Sequence, residues 1–181
     1  MTGKKLGLLG LALLMLLVSN LHLYCRVTVN GRQLDGLYAP AAVKRAGQIA
    51  ARAAEELLPG EAEAPRCRRA CRLSLRRPDG DTAALTDALI LAYPGIVLAD
   101  GVFVNGVRLG TVESGAVLRE RLRASILGQM PNAAVFGNIS GDLRIRPIYS
   151  RAGHETNYDD MVLLISGMAP VIYVDQNGKL V

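Results

Sequence analysis

The sequence predicts an α+β fold: an N-terminal transmembrane helix, then two tandem hairpin–helix–strand–helix units closed by a C-terminal hairpin. Three observations predict it. A run of 20 residues without a formal charge, dominated by leucine, extends from Leu6 to Cys25. The stretch Val102-Phe103-Val104-Asn105-Gly106-Val107-Arg108-Leu109-Gly110-Thr111-Val112 places Asn-Gly between alternating apolar residues. That pair accepts positive φ at both centres of a tight turn, the strongest short-range hairpin signal. The same pattern stands 75 residues earlier, from Val27 through Asn30-Gly31 to Leu34, and a looser copy runs from Val171 through Asn177-Gly178 to Leu180.

A chain of 181 residues, half of them apolar, has room for a core in one domain or two small ones. The net charge of +5 falls to +3 without Lys4 and Lys5, which suits a solvated basic surface as well as an anionic partner. Trp is absent and there are two Phe, so no base-stacking platform or aromatic sugar cleft is advertised. His22 and His154 are the only histidines, which argues against any mechanism needing two in one site.

Residues 1–5 form a short basic tail and residues 6–25 the expected signal anchor. At 1.5 Å per residue that helix reaches ~30 Å, the thickness of a bilayer's hydrocarbon core. A cleaved signal has a shorter apolar region and small residues at its processing site, and bulky Tyr24 before Cys25 argues against a lipidated cysteine. Lys4 and Lys5 favour an inside amino terminus, while Arg26 and Arg32 sit past the other end; an extracytoplasmic remainder is expected.

The first unit spans residues 26–100. Pro40 suits the first turn of a helix over 41–58, where Val43, Ala46, Ala50, Ala53 and Leu57 recur at helical spacing and Pro59-Gly60 ends the run. After the link 61–65, six arginines fall among the twelve residues Arg66 to Arg77, and Cys71, Leu73 and Leu75 alternate with Arg72, Ser74 and Arg76 as in a half-buried strand. Pro78 to Asp81 is a turn, and Thr82 is a candidate N-cap for a helix over 83–92.

The second unit spans residues 101–181 and repeats the order. Val117, Leu118, Leu122 and Ile126 mark a helix over 114–127, Asp142 to Tyr149 an extended stretch whose Pro147 suits an edge, and Thr156 to Ile165 a second helix. The hairpin at 171–180 is expected to complete the second unit's sheet.

The arginines read in two ways. They form a stripe for a phosphate-rich partner such as anionic lipid, wall polymer or nucleic acid, or they guard a solvated edge strand against self-pairing. The lack of interleaved aromatics favours the guard and argues against nucleic acid. Cys67 and Cys71 on one strand would lie ~13 Å apart, too far for a bridge, so free thiols are expected, and a zinc site lacks ligands. His154, Glu155, Asp159 and Asp160 form the one acidic cluster with an imidazole, and a helix amino terminus accounts for it better than a metal or acid–base site. Neither a G-x-S-x-G elbow nor a phosphate loop is present, so no enzyme activity, catalytic residue, metal or cofactor is expected.

The pattern carried by Val102, Val104, Asn105, Gly106, Leu109, Gly110 and Val112, followed by an amphipathic helix, resembles the small repeats that precede catalytic domains in signal-anchored Gram-positive wall proteins, such as zinc endopeptidases of the M23 (lysostaphin-like) group. The Val27 copy departs from it, with Asp35 in place of the second glycine. The resemblance implies an envelope location and a non-catalytic role. The expected function is thus a single-pass, membrane-anchored binding or assembly module that engages an envelope protein, a wall polymer or itself. Arg68, Arg69, Arg72 and Arg76 are the binding candidates, with the hairpin turns Asn30, Gly31, Asn105, Gly106, Asn177 and Gly178. Alternatives are an oligomerising subunit of a secretion or sporulation ring, and a metal-dependent enzyme built on Glu155, Asp159 and Asp160.

Overall fold

A computed structural model describes residues 15, 16 and 18–181. The fold is α+β and divides into two compact units, Met1–Pro94 and Gly95–Val181. The first holds β1 (His22–Val29), β2 (Arg32–Gln33), α1 (Pro40–Leu57), β3 (Cys67–Ser74) and α2 (Thr82–Ile90). The second holds β4 (Ile96–Val104), β5 (Val107–Val112), α3 (Gly115–Gly128), β6 (Phe136–Ile139), β7 (Leu143–Arg151), α4 (Tyr158–Met168) and β8 (Val171–Val174).

The expected membrane helix requires correction. Among the described residues no helix is long and apolar enough to cross a membrane. Ser19 is the last helical residue before a turn at Asn20, whose side-chain amide donates to the Leu16 carbonyl at 2.7 Å. From His22 onward the chain is strand, paired residue for residue with β3 as far as Val29. Residues 6–14 and 17 lie outside the described residues. A single-pass anchor over 6–25, and the membrane and extracytoplasmic placement drawn from it, are therefore not retained.

Each unit builds a three-stranded antiparallel sheet on one plan, in the orders β2-β1-β3 and β5-β4-β7. The Asn-Gly pairs set both hairpins: Asn30 and Gly31 have φ of 49° and 86°, Asn105 and Gly106 of 52° and 82°, as a type I′ turn demands. Each asparagine also ties its turn to the third strand's start. The Asn30 amide donates to the Arg66 carbonyl at 2.9 Å while Asn30 Oδ1 accepts from the Arg66 amide at 3.0 Å, and Asn105 makes the same two bonds to Asp142, at 2.9 and 3.0 Å. This shared wiring extends the repeat from sequence into geometry.

In the first unit, Cys25, Val27 and Val29 point from β1 into the core, toward the buried face of α1 at Val43, Ala46, Ala50 and Ala54 and the buried Leu85, Leu89 and Ile90 of α2. The N-cap of α2 is Asp81 and not Thr82; its carboxylate accepts from the Ala83 and Ala84 amides at 2.8 and 3.4 Å. Thr82 is instead the first helical residue. Cys25 and Cys71 form a disulfide, correcting the expectation of free thiols. Cys25 spends both backbone groups on Tyr38, so it faces Cys71 as a non-hydrogen-bonded antiparallel pair, where opposed side chains come closest. Cys67 stays free and exposed.

In the second unit Val102, Val104 and Val112 pack against Leu118, Leu122 and Ile126 of α3 and Met161, Val162 and Ile165 of α4. Val117, expected on the buried stripe, is exposed. Asp100 Oδ2 accepts from the Gly115 amide at 2.7 Å and the Tyr158 hydroxyl from the Ser114 amide at 3.1 Å, fixing the start of α3. A two-stranded sheet, β6 with β8, adds Ile139, Val171 and Tyr173 to this core. The closing hairpin thus pairs with β6 and not with the three-stranded sheet. Its turn is held by Asp175, which accepts from the Asn177 and Lys179 amides, and only Gly178 has positive φ there.

Candidate anion-binding face

Strand alternation decides where each arginine goes. Because Cys25, Val27 and Val29 face the core, Tyr24, Arg26 and Thr28 occupy the outer face of the first sheet. Their partners across the ladder are Arg72, Ala70 and Arg68. Arg68 and Arg72 therefore share that face with Arg26, which the stripe as read from sequence did not include. Arg69 points the other way, opposite Val27, and Arg76 lies beyond β3, paired to Asp79 at 3.1 Å. The sequence-predicted quartet splits: two members share the outer face, one faces the helices, and one is engaged by a carboxylate.

All of β3 is exposed except half-buried Ser74, and its outer edge has no partner strand among the described residues. No Asp or Glu occurs in β1, β2 or β3, and Arg26, Arg68 and Arg72 have no ion-pair partner among the described residues. Guanidiniums on neighbouring positions ~7 Å apart repel by roughly half a kcal/mol each in water, a term that an anion would reverse. Beside them Arg66, Arg68, Thr28 and the Asn30–Gly31 turn line a hollow of about 600 Å³. The predicted turn at Asn30 and Gly31 thus lies beside two arginines.

The second sheet also places arginines on its outer face. Val102 and Val104 face the core, so buried Gly101 and half-buried Phe103 lie on the opposite face of β4, paired with Arg146 and Arg144 of β7, while Phe103 faces Arg108 on β5. Arg146 stacks over the Phe103 ring at 4.5 Å, and Arg144 bonds Asp142 at 2.7 Å. Asn105 and Gly106 turn at the end of this sheet as Asn30 and Gly31 do in the first. Alternation along the extended stretch already puts Arg144 and Arg146 on one face; the register adds Arg108 from β5.

The acidic cluster is differently employed. Asp159 and Asp160 sit in the first turn of α4, Asn157 caps it by accepting from the Asp159 amide at 3.0 Å, and Asp159 pairs with Arg121 at 3.2 Å. Among the described residues no group of three or more His, Cys, Asp or Glu side chains is placed to hold a metal ion.

Compared with protein-family models, curated proteins and solved structures, the chain matches none.

Proposed function

We propose that this chain is a non-catalytic binding module that holds an anionic polymer on the outer faces of its sheets. The observation that carries the reading is the arginine set Arg26, Arg68 and Arg72, gathered on one open face whose strands contain no carboxylate. Tyr24 and Thr28 lie among them, offering an aromatic surface and a hydroxyl donor beside the charges. The second sheet also carries arginines on its outer face, but Arg144 there is engaged by Asp142 at 2.7 Å, so the first sheet is the principal site.

Inorganic polyphosphate is the probe. Its affinity for the full chain is expected to fall with rising NaCl, because each guanidinium that neutralises a phosphate releases a counterion. Arg68→Gln with Arg72→Gln is expected to weaken binding and to lower the slope of log K against log salt by about 2, one per arginine. Unchanged affinity and slope in the double variant would overturn the proposal.

A further inference from the structure

We propose that the second unit carries a separate binding groove for a single-chain anionic amphiphile, seated between α3 and β6. Arg119, Leu122, Arg123 and Ile126 recur at helical spacing along one face of α3, the face turned toward β6. They line a groove of about 290 Å³ whose apolar walls include Leu127, Met130, Val135 and Phe136. Leu122 and Ile126 form a buried floor, while Leu127, Val135 and Phe136 are 55%, 63% and 56% exposed. An apolar rim that open to water is uncommon unless something covers it.

Charge decides the occupant. Arg119 and Arg123 flank this groove, and no carboxylate lines it. Neither arginine has an ion-pair partner among the described residues; Arg121, between them in sequence, is the one that pairs with Asp159. Like charges four residues apart destabilise a helix slightly, so the pair is left unsatisfied beside an apolar channel. An anionic head between the two guanidiniums with an alkyl chain along Ile126, Met130 and Phe136 satisfies both.

At about 290 Å³ the groove has room for an alkyl chain. Gly137 keeps the strand against the helix: a Cβ there would lie 2.8 Å from Ile126 Cγ2 and 2.7 Å from the Tyr173 ring. The head group's shared chemistry is that of a carboxylate or phosphate monoester, and either a free fatty acid or a lysolipid supplies it.

The test uses the full chain with methyl-labelled methionine, titrated with decanoate, decyl phosphate, butyrate and decan-1-ol. Decanoate and decyl phosphate are expected to bind saturably, one per chain, and to shift the Met130 methyl resonance; whichever binds tighter identifies the head group. Butyrate, lacking the chain, is expected not to bind. Arg119→Gln with Arg123→Gln is expected to weaken decanoate about tenfold and leave decan-1-ol unchanged, while Arg119→Lys with Arg123→Lys retains most affinity. Val135→Ser is expected to weaken both ligands. The proposal is overturned if decanoate does not saturate, if the glutamine variant binds it as the native chain does, or if the Met130 resonance stays still. Binding of an acidic amphipathic peptide in its place, with no decanoate binding, also overturns it.

Discussion

The Cys25–Cys71 bond closes a loop with a sequence separation of 46 residues. The loop-closure entropy for that length is ~13 cal/mol/K, which at 25 °C stabilises the folded unit by ~4 kcal/mol, and disulfides in practice deliver about 2–4. A unit of this size is stable by only roughly 4–10 kcal/mol, so reduction removes a large share. The second unit has no such bond: the strand positions equivalent to Cys25 and Cys71 hold Asp100 and Pro147, which face each other across β4 and β7. Urea unfolding of the full chain, followed by hydrogen exchange on strand amides, is therefore expected to show β1 and β3 losing protection at lower urea after reduction while β4 and β7 do not move. Cys71→Ala is the cleaner variant, since Cys71 is exposed and Cys25 is 1% exposed, so its loss leaves no hole in the core. Alkylation without reductant is expected to label one thiol, Cys67, and with reductant three. Three labelled thiols before reduction, or identical unfolding of both sheets with and without reductant, would refute the reasoning.

Four further outcomes follow from the geometry. Asn30→Ala and Asn105→Ala each lose a side-chain acceptor and strain a positive φ; each is expected to destabilise its own unit by about 1–3 kcal/mol in urea titrations, Asn30→Ala by more because its side-chain amide also donates to the Ala92 carbonyl at 3.1 Å. Gly80→Ala places a methyl 2.4 Å from Tyr38 Cε1 and is expected to cost the first unit about 1–3 kcal/mol, read as a lower urea midpoint. Burial, and then the charges of Asp35, Asp81 and Asp79, hold the Tyr38 hydroxyl above its usual range; since the folded state keeps that proton longer, the associated stability is complete below pH ~10 and lost above it, and Tyr38→Phe is expected to flatten that alkaline decline. The Lys179 and Asn177 amides hold the Asp175 carboxyl below its usual range, so the C-terminal turn is expected to persist as pH falls through ~4 and to open only below that, as the Lys179 amide shift in NMR would report.

Local chemistry was legible and tertiary pairing was not. Asn30-Gly31 and Asn105-Gly106 announce their turns because few other residues tolerate two positive φ values in succession. The helices of both units announce themselves through apolar spacing and through Pro40 and Ser114 at their starts. The run Leu21 to Cys25 carries no such mark. Its apolar residues suit a helix or a buried strand equally, and the choice falls to strand because β3, some 45 residues later, supplies the ladder. Cys71 has the same history: its partner is not Cys67 on its own strand but Cys25 across the register. Strand β6 has four residues, two of them Gly137 and Asn138, poor strand formers held by pairing with β8. For the candidate face, composition revealed the arginines of β3, but Arg26 joins them only once β1 lies alongside.

The two units keep one backbone plan and stabilise it by different means. Apart from Val43, the buried positions of α1 are alanines, Ala46, Ala50 and Ala54, whereas α3 buries Leu118, Leu122 and Ile126. Each leucine or isoleucine in place of alanine adds about three buried carbons, worth ~2 kcal/mol at ~0.8 kcal/mol per methylene. The second unit gains further apolar volume from β6 and β8, which have no equivalent in the first. A small core short of apolar volume is where a cross-link contributes most, and the bond lies in the alanine-packed unit. It also ties β3 to β1, so the strand that carries Arg68 and Arg72 is held in register although nearly all of it is exposed. Reduction should then loosen the arginine face before it loosens anything in the second unit. Polyphosphate affinity that survives reduction unchanged, while β3 amides lose protection, would move the binding site off that strand.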